Sequence, residues 1–289
     1  MTDAASQHDR PRLRRPRHLL ASAGGLVAVA VTLTGCSAGE FERLGMPEPA
    51  TDRAPNALHL WQGAWIAALA VGVVVWGLII AAAVKFRRRN EDVPRQLRYN
   101  LPVEILYTFI PFVMIGVLFY FTVRDQNRIL AVDQTAPAHH ITVVGQQWSW
   151  TFNYDEKQSI GDVVYDQGNP TSLPTLWLPE GERVGLTLHS ADVNHSFFVP
   201  TFLFKMDLIA GKDNYFEITP TKLGTFQGKC AELCGTYHAR MLFVVNVVTP
   251  QEYRAHLERL KQLGQTGASL GGDAVTKVDG LGAAVGSAG

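Results

Sequence analysis

Cysteine, histidine and methionine crowd into one stretch of this sequence, Cys230-Ala-Glu232-Leu-Cys234-Gly-Thr-Tyr-His238-Ala-Arg-Met241. The pattern C-x-E-x-C-x3-H-x2-M places four soft or borderline donors within twelve positions. Thiolate and thioether suit copper, and imidazole completes a copper set. A further imidazole, His195, stands about 35 residues upstream, between strand-like runs. On ligand chemistry alone, several uses of these residues stay open. Two cysteines four apart in an exported protein can close a disulfide. Zinc takes thiolate and imidazole, although Met is a poor zinc ligand. A mononuclear blue-copper site needs one thiolate, two imidazoles and a long axial Met. Here a second thiolate is in register, and two thiolates can bridge two metals, with His195 and His238 capping one each.

Such a cluster needs a scaffold that brings distant loops together. From about His139 to Thr249 the chain reads as short apolar runs, among them Ile141–Val144, Arg183–Leu188, Tyr215–Ile218 and Leu242–Val247. Turn residues punctuate them at Gly168–Pro170, Pro179–Gly181, Gly211 and Pro220–Gly224. Strands at this spacing without intervening helices predict an all-β sandwich or barrel. One ligand on an earlier loop and the rest on a late one is how a sandwich assembles a metal site at one end. Thr249-Pro250-Gln251-Glu252 carries a capping residue, a Pro at the first helical position and a Glu three after the cap. Tyr253, Leu257 and Leu260 follow at helical spacing, which predicts a packing helix that closes the domain near residue 263. The stretch 264–289 is rich in Gly, Ala and Ser and is expected to be disordered.

Two further apolar runs, at 60–84 and 103–123, are long enough to span a bilayer, which takes about 20 residues. The connecting loop, 85–102, holds Lys85, Arg87, Arg88, Arg89, Arg95 and Arg98 against Glu91 and Asp92. Excess positive charge marks it as cytoplasmic and puts both outer flanks outside. Trp61, Trp65 and Tyr120 sit near the outer ends, where amphipathic rings favour the interface. Residues 1–35 carry five arginines between Arg10 and Arg17, run through an apolar stretch and end at Gly35, just before Cys36. That is the form of a bacterial lipoprotein signal, with Cys36 as the lipidation site and 36–59 as an extracytoplasmic lead-in. The formal net charge is +0, so no bulk basic field attracts nucleic acid.

Taken together, the ligand motif, His195, the hairpin and the signal resemble subunit II of the haem–copper cytochrome c oxidases. The likeness covers nearly all of the chain from about Leu60 to Leu260. It implies a membrane-anchored chain, with a two-helix hairpin carrying a cupredoxin-like sandwich, in a bacterial plasma membrane. It further implies a binuclear copper A centre. Cys230 and Cys234 bridge it, with His195 and Met241 on one copper and His238 and the Glu232 carbonyl on the other. The Glu232 carboxylate resembles a ligand to a magnesium shared with subunit I. Gly145-Gln-Gln-Trp148-Ser-Trp150 resembles the family's aromatic segment, with Trp148 as the electron-entry residue and Trp150 as a packed core residue. Asp192 resembles an acid near the donor-docking face, and Glu104 an acid at the mouth of a proton pathway. The partners implied are subunits I and III, and cytochrome c or a haem c domain of a bc-type complex. A quinol-oxidase subunit would lack the copper ligands, and nitrous oxide reductase would add a His-rich propeller. A copper carrier would need neither the hairpin nor Glu104.

Overall fold

The computed structural model describes residues 38–89, 91, 93, 96–168 and 172–270. The signal stretch 1–35, Cys36 and the end of the tail from 271 lie outside the described residues. Two units are distinguished, Met1–Gly45 and Met46–Gly289. In the first, one helical turn, α1 (Ala38–Glu42), is described.

The second unit begins with two long helices, α2 (Ala54–Lys85) and α3 (Leu101–Ile129). Both are long and apolar enough to cross a membrane, and the most apolar window of each buries none of its residues within the chain. A buried soluble hairpin would hide that surface. The helices outrun the apolar runs, because hydropathy marks the segment that suits hydrocarbon and backbone bonding continues past it. The lead-in expected at 36–59 is therefore divided, with its last residues already helical. Pro55 and Pro102 sit in the first turns, where a missing N–H costs nothing. Pro111 lies inside α3, which a membrane helix tolerates.

Among the described residues, ten strands form two five-stranded sheets. One sheet has the order β3 (Asp162–Gln167), β2 (Ser149–Glu156), β1 (His139–Gln146), β5 (Val184–Ser190), β8 (Asn214–Ile218). The other runs β4 (Thr175–Pro179), β10 (Leu242–Val248), β9 (Gly224–Cys230), β6 (His195–Val199), β7 (Phe204–Leu208). Pairing is antiparallel except between β1 and β5 and between β10 and β4. Alternation sets the buried faces: in β10, Phe243, Val245 and Val247 point inward. Trp150, Phe152, Phe197 and Phe243 fill the space between the sheets. This is the β-sandwich expected from the strand spacing.

The register places the turn after β1, the start of β6 and the end of β9 at one end of the sandwich. The tether to the helices is at the other end. There Thr51 bridges Pro220, and the backbone N–H of Ala50 donates to Thr201 at 2.9 Å. Arg53 donates to the carbonyls of Arg128 and Ala131, tying the starts of α2 to the end of α3. Arg183 pairs with Asp133 and with buried Glu217, fixing the linker into β1.

The closing helix, α4 (Pro250–Gln262), has a complete capping box. Glu252 N–H donates to Thr249 Oγ1 at 3.3 Å, and the Thr249 N–H donates to the Glu252 carboxylate at 3.0 Å. Tyr253, Leu257 and Leu260 are buried as the spacing predicts, each contributing about 1.5–3 kcal/mol. Burial lowers His256 to about 4, and its neutral ring stacks on Trp177 at 4.2 Å. The tail is ordered further than its composition suggests. Tyr165 N–H donates to Gln265 O, Gly267 N–H to Val163 O, and Ser269 N–H to Asn153 Oδ1. Main-chain bonding along the open edge of β3 holds Gln265 and Gly267, and the Asn153 side chain of β2 holds Ser269.

A half-buried histidine helps to seat α4. His139 Nδ1 lies 2.6 Å from Glu156, and Nε2 lies 2.6 Å from Glu182. Tyr253 OH donates to the same Glu156 carboxylate at 3.2 Å, and Ser159 Oγ donates to its other oxygen at 2.7 Å. Burial disfavours the imidazolium, but the two carboxylates outweigh it and raise His139 above 6.5. A raised folded pKa means that this stabilisation is complete below 6.5 and lost as pH rises through the folded value. The thermal midpoint is expected to fall across that rise, and His139→Gln to flatten the fall. An unchanged pH profile in the variant would refute this assignment.

Candidate metal centre

Three loops build the site. The end of β9 supplies Cys230, and the β9–β10 connection supplies Glu232, Cys234, His238 and Met241, passing through one 3-10 turn at His238–Arg240. The β5–β6 loop delivers His195 as the first residue of β6. The turn between β1 and β2 lays Gln147 and Trp148 alongside. Cys230 and Cys234 are buried, free thiols with their sulfurs 3.8 Å apart, not joined to one another. His195 Nδ1 stands 3.9 Å from the Cys230 sulfur, and His238 Nδ1 stands 3.5 Å from the Cys234 sulfur. Met241 Sδ is 3.7 Å from Cys234 Sγ, and the Glu232 carbonyl oxygen is 3.2 Å from Cys230 Sγ. Ligand atoms of His195, Cys230 and Cys234 lie within 4.8 Å of one another.

The donor set and its protonation suit a soft metal. A carboxylate only accepts, so Asp192 Oδ1, 2.8 Å from His195 Nε2, requires the proton there. The Nδ1 lone pair is thereby left facing the sulfurs, the arrangement metal-ligating histidines adopt. The two thiols cannot both ionise freely at this separation. Hydrogen bonding from Cys234 holds the Cys230 thiol below its ordinary range despite burial, and the same contact pushes Cys234 up. A metal cation bridging both sulfurs would offset that repulsion. Each imidazole approaches a different sulfur, so the donors are spread over two positions. A single tetrahedral zinc would draw all four to one point.

Two glycines make the packing possible. A Cβ on Gly145 would meet the His195 ring at 3.3 Å and Leu208 at 2.9 Å. Gly235 has φ +118°, and a Cβ there would meet Gln147 Nε2 at 3.0 Å and Trp148 Cζ2 at 3.2 Å.

Trp148 is half-buried and touches the ligand loop directly. Its Nε1–H donates to the Cys234 carbonyl at 3.2 Å, and its ring meets Tyr237 edge-on at 4.9 Å. Trp150 is fully buried beneath the site. Its Nε1–H points to the Met241 carbonyl at 3.4 Å, and its ring lies 6.3 Å from that of His195. The Glu232 side chain is exposed. Glu104, far from this cluster in sequence, sits in the first turn of α3 and accepts the Asn100 N–H at 3.0 Å. Lys205 and Asp207 form a 4.0 Å pair on β7. Sequence reasoning missed Gln147, whose Nε2 donates to the Cys234 carbonyl at 2.8 Å, and it missed the inward turn of Asp192. The one available signal was position: Gln147 adjoins Trp148, and Asp192 precedes His195 by three.

Residues 139–248 match the family model for the periplasmic domain of cytochrome c oxidase subunit II, and residues 39–123 match that for its transmembrane domain. A probable cytochrome c oxidase subunit 2 of Streptomyces coelicolor is 46% identical, over 96% of this chain and 97% of that protein. Cytochrome c oxidase subunit 2 of Mycobacterium tuberculosis is 39% identical, over 83% and 81% respectively. The crystal structure of the periplasmic domain of subunit II of cytochrome oxidase (CoxB) of Bradyrhizobium japonicum is 27% identical. It covers 45% of this chain and 97% of its own, with a TM-score of 0.40.

Proposed function

The chain belongs to the cytochrome c oxidase subunit II family, and from that membership we propose that it is the electron-entry subunit of a bacterial cytochrome c oxidase. The single observation that carries the reading is the convergence of two cysteine sulfurs, two imidazole Nδ1 atoms, a thioether and a carbonyl at one end of the sandwich. A copper pair held there would take one electron at a time and spread its charge over both metals.

The chain's own residues do the rest. Cys230, Cys234, His195, His238, Met241 and the Glu232 carbonyl would hold the copper, the thiolates and imidazoles supplying its soft and borderline donors. Neighbouring strands of one sheet, β6, β9 and β10, anchor those donors, which keeps them in place through a change of charge. Trp148 receives the electron from cytochrome c or from a haem c domain of a bc-type complex. Its indole hydrogen bond to the Cys234 carbonyl is the supporting contact. The chain then delivers the electron to haem in subunit I, where oxygen is reduced to water with proton translocation. The exposed Glu232 carboxylate is free to meet a magnesium shared with subunit I. Glu104 is the proposed mouth of a proton pathway, where its present hydrogen bond to Asn100 also caps a helix. The hairpin holds the chain in the plasma membrane beside subunits I and III, and Cys36 is the proposed lipidation site.

Copper titrated into the full-length chain in detergent is expected to saturate at two per chain. The electron paramagnetic resonance spectrum should then show an electron shared by two copper nuclei. Saturation at one copper, with a single-nucleus spectrum, would sink the binuclear reading.

A further inference from the structure

Asp192 lies on the β5–β6 loop with its side chain about one-third exposed (30%). Its carboxylate is already committed within the domain. Oδ1 accepts from the Val193 N–H at 2.6 Å and from His195 Nε2 at 2.8 Å. Oδ2 accepts from the Gln147 N–H at 2.7 Å. The residue so held, Gln147, donates its side-chain amide to the Cys234 carbonyl at 2.8 Å, beside the Trp148 indole on the same oxygen at 3.2 Å. One carboxylate therefore touches two loops, and through Gln147 it reaches the third. These are the loop that presents His195, the turn that presents Trp148, and the ligand loop of the cysteines.

We propose that Asp192 is a positioning residue: it fixes the tautomer and aim of His195 and, through Gln147, the seat of Trp148 on the Cys234 carbonyl. This rests on the copper reading above and gives Asp192 a task separate from donor docking. An acid that met a donor would keep its oxygens outward and its charge unshared. Here three N–H groups share that charge, and the oxygens face the protein. Carboxylates that hold a ligating imidazole typically contribute 10–100-fold in metal affinity.

The test uses the full-length chain in detergent, loaded with copper, as wild type and as Asp192→Asn. The amide keeps the size but loses the charge and turns one acceptor into a donor. Copper affinity against a competing chelator should drop by about 10–100-fold, the hyperfine pattern should change, and the reduction potential should move. Gln147→Ala should alter the Trp148 environment, read by its fluorescence, and an unchanged fluorescence would overturn the part of the proposal that runs through Gln147. An Asp192→Asn variant with wild-type affinity, hyperfine pattern and potential, changed only in the salt dependence of its reaction with donor, overturns the proposal. Wild type that fails to hold two coppers overturns the copper reading as well, so the two failures are distinguishable. A second measurement needs no variant. In the loaded wild type the His195 Nε2 proton should exchange with solvent more slowly than the ring proton of half-buried His238. Equal rates overturn the proposal.

Discussion

Cys230→Ser is expected to abolish the paired-copper spectrum while the sandwich stays folded. Cys230 ends β9, is 5% exposed, and stands between Cys234, His195 and the Glu232 carbonyl. A serine hydroxyl is a hard donor with little affinity for copper beside thiolate and imidazole. The remaining donors could hold at most one metal, without the second bridge. Folding should suffer far less. The hydroxyl can donate to the Glu232 carbonyl that now lies 3.2 Å from the sulfur, so the replacement leaves no unpaired buried group. A loss of about 1 kcal/mol, typical of a single substitution, is the expected scale. Metal analysis should fall from two coppers to one or none, with an unchanged circular dichroism spectrum. Persistence of the two-nucleus hyperfine pattern would show that Cys230 does not bridge.

The parts of this design that were legible in the sequence are those set by local chemistry. Five of the six donors lie at the end of β9 and in the connection that follows it, so their types appear side by side. The helix α4 announced itself through Thr249, Pro250 and Glu252, because a cap is a contract between residues three apart. The strands were legible as short runs split by turn residues, but the parallel pairing of β1 with β5 was not, since no turn joins them. His195 was legible as a candidate imidazole between strand-like runs, and the family resemblance supplied its partner on one copper. Asp192 and Gln147 were hidden for a further reason. Their bonds to Gln147 N and the Cys234 carbonyl use main-chain atoms 45 and 87 residues away, and main-chain partners leave no trace in side-chain type. The same holds for the start of the tail, where Gln265 and Gly267 follow β3 through backbone bonds that any sequence can make. The ends of α2 and α3 escaped because the apolar run reports only what faces lipid.

Two tryptophans, two positions apart, should respond in opposite ways to the same substitution, and Trp150→Ala is the larger loss of stability. Trp150 is fully buried, with its ring 5.1 Å from Phe243 and 6.2 Å from Phe197. Truncating a core aromatic costs about 3–5 kcal/mol in lost transfer energy and residual cavity. Set against a typical domain stability of about 5–15 kcal/mol, that leaves the sandwich marginal. The cavity would open beneath His195 and beside the Met241 main chain, so copper affinity should fall with stability. Trp148 is half-buried at the rim and makes one hydrogen bond, worth about 1 kcal/mol net. Trp148→Ala should therefore keep the denaturation midpoint near wild type and retain two coppers, yet lose most of its electron entry from a reduced c-type cytochrome. Chemical denaturation, metal analysis and stopped-flow reduction of the loaded chain separate the two. If Trp148→Ala were reduced as fast as wild type, the electron would have to enter elsewhere on the ligand loop. If Trp150→Ala kept the wild-type midpoint, the core would not be what aims His195, and that work would fall to the loop contacts of Asp192 alone.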